Sequence, residues 1–358
     1  MKTSVFCTNS SITLDSGGGI VCYNIIQALK AVTNLKMVLC GGSSIPFGVE
    51  TKNVNPRMYE QPESPFLYDY FAASSITERV DIAQFYGAPF AQIIARLSLI
   101  DRVFQRRSKV IVDIAPHNIE LSRDEHQHLG LPFPYPHLNN PNLFKLYMLH
   151  VELADLVIVH SKLSTEYLKQ KLGLTNEIRV IPHGCYLPEA IPPLPETFTV
   201  AHVGVNGPDK GQIYLVKAYQ YLFGAQWESE RPKMLLAGYG TEALGGIGCI
   251  KDVNEVYKKC SVYVQPTVTE GFGIPVLEAM AHARPVIVTE GAGASELVQD
   301  SREGFVVPIR SPEAIAQKIR YFYDNPDEVK CMGINAREKA EQYTWEKISK
   351  QYEAIYLE

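Results

Sequence analysis

The chain has 358 residues, 46% of them hydrophobic and 20% charged, with a formal net charge of -5. That is the make-up of an ordinary globular protein long enough for two domains, which excludes a disordered or fibrous chain. The acidic balance argues against nucleic acid as the main partner, because phosphate recognition requires a concentrated basic field.

From Met1 the sequence runs directly into a strand-like segment, without the apolar core and cleavage site of a signal peptide. No apolar stretch approaches the ~20 residues of a membrane-spanning helix. The seven cysteines are scattered with no metal-ligand spacing. These features read as a cytoplasmic protein. Short β-branched runs then alternate with longer amphipathic ones, the pattern of βα units around a parallel sheet, so the fold class is α/β. Strands are predicted near 3–8, 36–40, 80–85, 109–113, 156–160 and 178–181, with helices near 18–31, 89–106, 141–153 and 162–172. The basic helix end Arg102, Arg106, Arg107 and Lys109 reads as solvated, so membrane contact is not supported. The segment 122–141 is too long and proline-rich for a simple connector. Aromatic residues there and in 59–71 either face an acceptor or pin long loops.

Residues 185–197 contain Pro188, Pro192, Pro193 and Pro195, too many for a helix or a central strand. They read as a linker between a first Rossmann-like domain, 1–184, and a second, 198–340. The second domain is predicted to have strands near 198–205, 233–237, 262–265 and 285–289 and helices near 212–222 and 275–283. Beyond Pro312 the pattern is helical, and 341–358 is assigned to a helix crossing back to the first domain. Two doubly wound domains place a ligand at the carboxyl ends of strands facing the cleft between them.

The chemistry concentrates in Thr269-Glu270-Gly271-Phe272-Gly273-Ile274-Pro275-Val276-Leu277-Glu278. Pro275 suits the first turn of a helix, where its missing N–H would have had no partner. Gly271 and Gly273 let the backbone approach a ligand, and the helix amides beyond present the positive end of a dipole to a diphosphate. Ionised carboxylates accept hydrogen bonds only, so Glu270 and Glu278 flanking this anion site suit the paired donors of a sugar or ribose diol. The bland alternative is that Glu270 caps a helix and Glu278 is a solvated surface residue.

The run from Glu270 to Glu278, continued by Ala279-Met280-Ala281 and Arg284-Pro285-Val286-Ile287, resembles the signature of retaining family 4 glycosyltransferases of the GT-B fold, departing from it at Arg284, where a glycine is usual. The likeness covers the second domain and, more weakly, the first. It implies a donor that is a UDP- or GDP-sugar, used as a co-substrate with no further cofactor and no metal, and an acceptor hydroxyl on a glycan, lipid or small molecule. It also implies that Glu270 contacts hydroxyls of the transferred sugar and Glu278 the ribose, with Phe272 and Ile274 alongside.

In Asn206-Gly207-Pro208-Asp209-Lys210-Gly211, Lys210 is the candidate cation for the leaving diphosphate, although a surface lysine at a helix start has the same appearance. The family's arginine directly after Gly204 is here Val205. Asn206, Arg179 or His183 are the candidates to replace it. Gly18 and Gly19, in the loop Ser16-Gly17-Gly18-Gly19 before the first helix, are read as a second approach to the phosphates. His117, at the end of the strand near 109–113, is where similar enzymes place a histidine that touches the sugar; a structural histidine is the alternative. His160, His183 and His202 are weaker candidates. Outside transferases, the sequence also admits a nucleotide-sugar epimerase or a catalytically silent nucleotide-sugar-binding module.

Overall fold

The computed structural model describes residues 2–8, 17–39, 50–53, 80–86, 109–116, 118–134, 141–223 and 232–358. The predicted helix 89–106, the aromatic segment 59–71, the basic residues Arg102, Arg106 and Arg107, the loop residue Ser16, and His117 lie outside them.

Among the described residues two wholly parallel sheets are present. The first contains β1 (Thr3–Thr8), β2 (Asn34–Leu39), β3 (Glu50–Asn53), β4 (Ile82–Tyr86), β5 (Lys109–Asp113), β6 (Leu156–Val159) and β7 (Ile178–Val180), in the order β3-β2-β1-β4-β5-β6-β7. The second contains β8 (Thr199–Val203), β9 (Lys233–Ala237), β10 (Val262–Gln265), β11 (Val286–Thr289) and β12 (Gly304–Val307), ordered β12-β11-β10-β8-β9. In both, the order reverses beside the first strand of the series, which opens a crevice at the carboxyl edge. β4, β5, β6, β10 and β11 are buried almost throughout, as expected of parallel strands covered on both faces.

Apolar clusters fill both faces of each sheet. One cluster joins Val21, Ile25 and Leu29, from helix Gly17–Val32, to Trp345, Ile348, Tyr352 and Tyr356, from helix Trp345–Leu357. The C-terminal helix therefore packs against the first sheet, although the two helices before it, Pro312–Asp324 and Pro326–Ala340, belong to the second. Where the chain crosses, Cys185 N donates to the Tyr343 carbonyl at 2.9 Å and Trp345 N to the Cys185 carbonyl at 3.2 Å.

Two local expectations are corrected. The glycines at 17–19 do not precede the first helix; Gly18 and Gly19 form its first turn. The segment 122–141, given no element in the sequence reading, begins inside a helix. Asn118 accepts from Leu121 N at 3.0 Å and caps a helix, Ile119–His128, so that only the prolines after it interrupt the pattern.

Candidate active site

The carboxyl ends of β5 and β10 face each other. After β10 the chain turns through Thr267 and Thr269 into the glycine loop, then into helix Ile274–Ala281 with Pro275 in its first turn. Asn118 N, beyond β5, donates to Thr269 Oγ1 at 3.0 Å. A side-chain carbon on Gly271 would lie 3.0 Å from the Cα of Ala115, so the first domain also makes a close approach there. The Gly271 carbonyl accepts from Ser161 Oγ at 2.8 Å and Ser164 Oγ at 3.2 Å, again from the first domain. Gly273 caps the helix at φ 103°, a conformation that favours glycine. Phe272 is buried, its ring edge-on to His183 at 5.2 Å, which leaves its backbone as the part near the loop's open side.

Glu270 is firmly held. Its backbone N donates to the Gly291 carbonyl at 2.9 Å, and Gly293 N donates to its carbonyl at 3.1 Å, making a one-residue parallel bridge with the 291–293 turn. Its Oε2 accepts from Gln265 Nε2 at 3.0 Å and Thr267 Oγ1 at 3.3 Å, while Oε1 accepts from Lys210 Nζ. Lys210 ends a 3-10 turn, Pro208–Lys210, that follows β8. The structure thus brings these two predicted residues together, and Glu270 is not a helix cap.

Glu278 is half-buried in helix Ile274–Ala281, not a freely solvated residue. Burial pushes its carboxyl pKa up, opposed by a hydrogen bond from Tyr257 Oη to Oε2 at 2.6 Å. His202, at the end region of β8, is fully buried; its Nδ1 is 2.9 Å from the Val264 carbonyl and its Nε2 3.2 Å from Gln212 Nε2. Burial pulls its pKa down to about 4, so it is a neutral imidazole that donates through Nδ1 and accepts through Nε2.

Of the three candidates for the missing cation, Arg179 and His183 are held elsewhere. Arg179 lies on the last strand of its sheet, tied to Glu358 at 2.6 Å and Glu177 at 2.8 Å. His183 is buried under His160, ring centroids 3.7 Å apart, and burial holds its pKa well below the usual value, so it is uncharged. Asn206 sits in the turn beside Lys210, donating through Nδ2 to the Gly240 carbonyl at 3.1 Å. Val205 is 56% exposed. Before Arg284, where the resembled pattern has glycine, Ala283 takes the left-handed conformation at φ 56°.

Sequence reasoning missed the partners of both carboxylates, Gln265, Thr267 and Tyr257. It also missed a polar contact beside Lys210. Ser122 Oγ donates to Asp209 Oδ2 at 2.8 Å, and buried Glu125 accepts from Tyr214 Oη at 2.7 Å and Arg310 Nε at 2.5 Å. Gln265 had a visible signal, a polar residue closing an apolar strand. The others had none.

Residues 197–325 match a family model described as glycosyl transferases group 1. Along its whole length the chain superposes on sucrose-phosphate synthase from Thermosynechococcus elongatus, with TM-score 0.80, 19% identity and 98% of that chain covered. The chain has the GT-B fold, and residues 197–325 form a group 1 glycosyl transferase domain. The GT-B fold is shared with Anabaena HepE, solved in complex with UDP-glucose (TM-score 0.71, 18% identity, covering 100% of this chain and 99% of that one). Among curated relatives, an uncharacterized glycosyltransferase of Methanocaldococcus jannaschii is 33% identical over 107 residues, 30% of each chain. One from Haemophilus influenzae is 26% identical over 220 residues, 58% of this chain and 62% of the relative. The matched stretches thus span less than two thirds of these relatives. Among the described residues of this GT-B chain, no helix is long and apolar enough to cross a membrane.

Proposed function

We propose that this chain is a retaining glycosyltransferase that moves a hexose from a UDP- or GDP-sugar to a hydroxyl of a glycan, lipid or small-molecule acceptor. The observation that carries the reading is Glu270, an ionisable carboxylate fixed by Lys210, Gln265 and Thr267 immediately before a helix N-terminus, at the facing carboxyl edges of two parallel sheets. A rigid acceptor of hydrogen bonds next to a cation and a helix dipole suits a sugar joined to a diphosphate. HepE holds UDP-glucose in the same fold, which supports a nucleotide-sugar donor.

In this reading Gly271 and Gly273 frame the anion site, the amides of helix Ile274–Ala281 and Lys210 hold the diphosphate, Asn206 lies beside it, and Ile274 and the Phe272 backbone border it. Glu278 takes the ribose, Glu270 the hexose, and Gly18 and Gly19 approach from the first helix. His117 is assigned to the sugar by resemblance. The acceptor oxygen attacks the anomeric carbon on the face from which the diphosphate departs. One C–O bond forms as the C–O bond to phosphate breaks, and a departing phosphate oxygen takes the hydroxyl proton. Lys210 and the helix dipole stabilise the leaving charge without a metal ion. A cytoplasmic setting goes with this reading, since scattered cysteines without metal-ligand spacing suit a reducing compartment.

The test is transfer by the purified chain from a panel of sugar nucleotides to an acceptor panel, with product configuration read by NMR. Glu270→Ala is expected to abolish transfer and leave nucleotide binding largely intact. Transfer at the parental rate would remove Glu270 from the site. Activity is expected to survive a chelator; loss restored by added metal would overturn the metal-free mechanism.

The exposed Val205, where similar enzymes carry an arginine, favours a second reading, a catalytically silent nucleotide-sugar-binding module. Donor hydrolysis without acceptor separates the two, since a pure binder leaves the donor whole.

A further inference from the structure

Arg284 is 1% exposed, a guanidinium packed inside the second domain. All of its hydrogen bonds go to backbone carbonyls: Nε to Tyr257 at 2.8 Å, and Nη2 to Pro193 at 2.9 Å, Pro192 at 3.1 Å and Lys258 at 3.4 Å. Tyr257 and Lys258 belong to the last turn of the short helix Asn254–Lys259, whose final carbonyls have no partner within the helix. Pro192 and Pro193 belong to the connection between the sheets. One planar donor therefore ties this helix end to the connecting segment.

Tyr257 is fully buried, 5.8 Å from the Tyr263 ring and 5.2 Å from the His282 ring. Its hydroxyl reaches Glu278 Oε2 at 2.6 Å. A buried tyrosine needs an acceptor, and a backbone carbonyl would serve. Here the acceptor is a carboxylate that burial pushes towards its protonated form, and the Tyr257 bond works against that push. A protonated Glu278 would turn one of its oxygens into a donor and match a diol less well. The bond also fixes the carboxylate's rotation.

We propose that Tyr257, anchored through its own carbonyl by Arg284, is the positioning residue that orients Glu278 and keeps it an acceptor for the ribose diol of the donor nucleotide. This rests on the reading of Glu278 as the ribose carboxylate. Tyr257 does not touch the nucleotide; it acts through Glu278.

The test is calorimetry of the full chain with whichever of UDP and GDP binds it better, and with the 2′-deoxy and 3′-deoxy forms of that nucleotide. The parent chain is expected to prefer the ribonucleotide. Tyr257→Phe is expected to lose about five- to tenfold of ribonucleotide affinity, the size of one ordinary hydrogen bond, with deoxynucleotide affinity unchanged. Its ribonucleotide binding is also expected to decline at higher pH than in the parent. Arg284→Lys, which keeps the charge and loses the planar fork, is expected to lower the preference about two- to threefold. A general packing defect would instead weaken ribo- and deoxynucleotides alike. If Glu278→Gln abolishes the preference while Tyr257→Phe retains it, the positioning role is overturned and the ribose reading stands. If both variants retain the preference, the ribose reading falls and the inference falls with it. An unchanged preference in Arg284→Lys overturns the arginine's part.

Discussion

The Lys210 ammonium donates to the Glu270 carboxylate although the two residues are 60 positions apart, one ending the turn after β8 and the other following β10. Their side chains are 26% and 16% exposed, so each charge is neutralised in a partly dry setting. A diphosphate at the helix N-terminus would share the lysine. Lys210→Ala is therefore expected to weaken nucleoside diphosphate binding by about 1 to 3 kcal/mol, the range of a charge-assisted hydrogen bond. Calorimetry giving the parental affinity would exclude Lys210 from the phosphates.

His202 makes stability depend on acidity. Its pKa is about 4 in the fold, against an ordinary value of 6.5, because burial disfavours the imidazolium. The unfolded chain therefore binds the extra proton first. The stabilising contribution is present above pH 6.5 and is lost as pH falls towards 4. Between pH 6.5 and 4.5 it amounts to about 2 kcal/mol, at 1.36 kcal/mol per unit. His183 and His282 shift in the same direction. Urea denaturation across that window is expected to show the parent losing stability and His202→Gln losing about 2 kcal/mol less. Equal slopes would exclude His202.

Glu125 joins the helix of the first domain to the second. It is wholly buried and accepts from Tyr214 and Arg310, while the Arg310 side chain is 30% exposed. Truncation to alanine strands one buried hydroxyl and one partly solvated cation. Glu125→Ala is expected to cost about 2 to 3 kcal/mol of stability. Chemical denaturation is the measurement, and a loss under about 0.5 kcal/mol, typical of surface changes, would show that the contact is solvated.

The parts of this molecule legible in its sequence were those encoded by backbone chemistry. Pro275, Gly273 and the apolar run of β10 announce a strand, a glycine loop and a helix start within fourteen positions. The α/β class and the helical run after Pro312 follow from the same local periodicity. Glu125 was illegible because its partners lie 89 and 185 positions away, and nothing in a single chain marks a glutamate as buried. Tyr257 was hidden for the same reason. Its hydroxyl finds Glu278 only when β10 and the helix after it are stacked. The positive φ of Ala283 was illegible as well, because spacing alone does not reveal dihedral angles.

The packing of Trp345, Ile348, Tyr352 and Tyr356 against the first helix has a consequence for biosynthesis. A ribosome finishes β1 to β7 long before it reaches residue 345, so the first sheet emerges with one flank of its helix layer bare. Tyr352 Oη donates to the buried Asp113 Oδ2 at 2.9 Å, a bond unavailable until the last helix is made. The amino-terminal half of this protein therefore completes its fold only after residues 345–356 have been made.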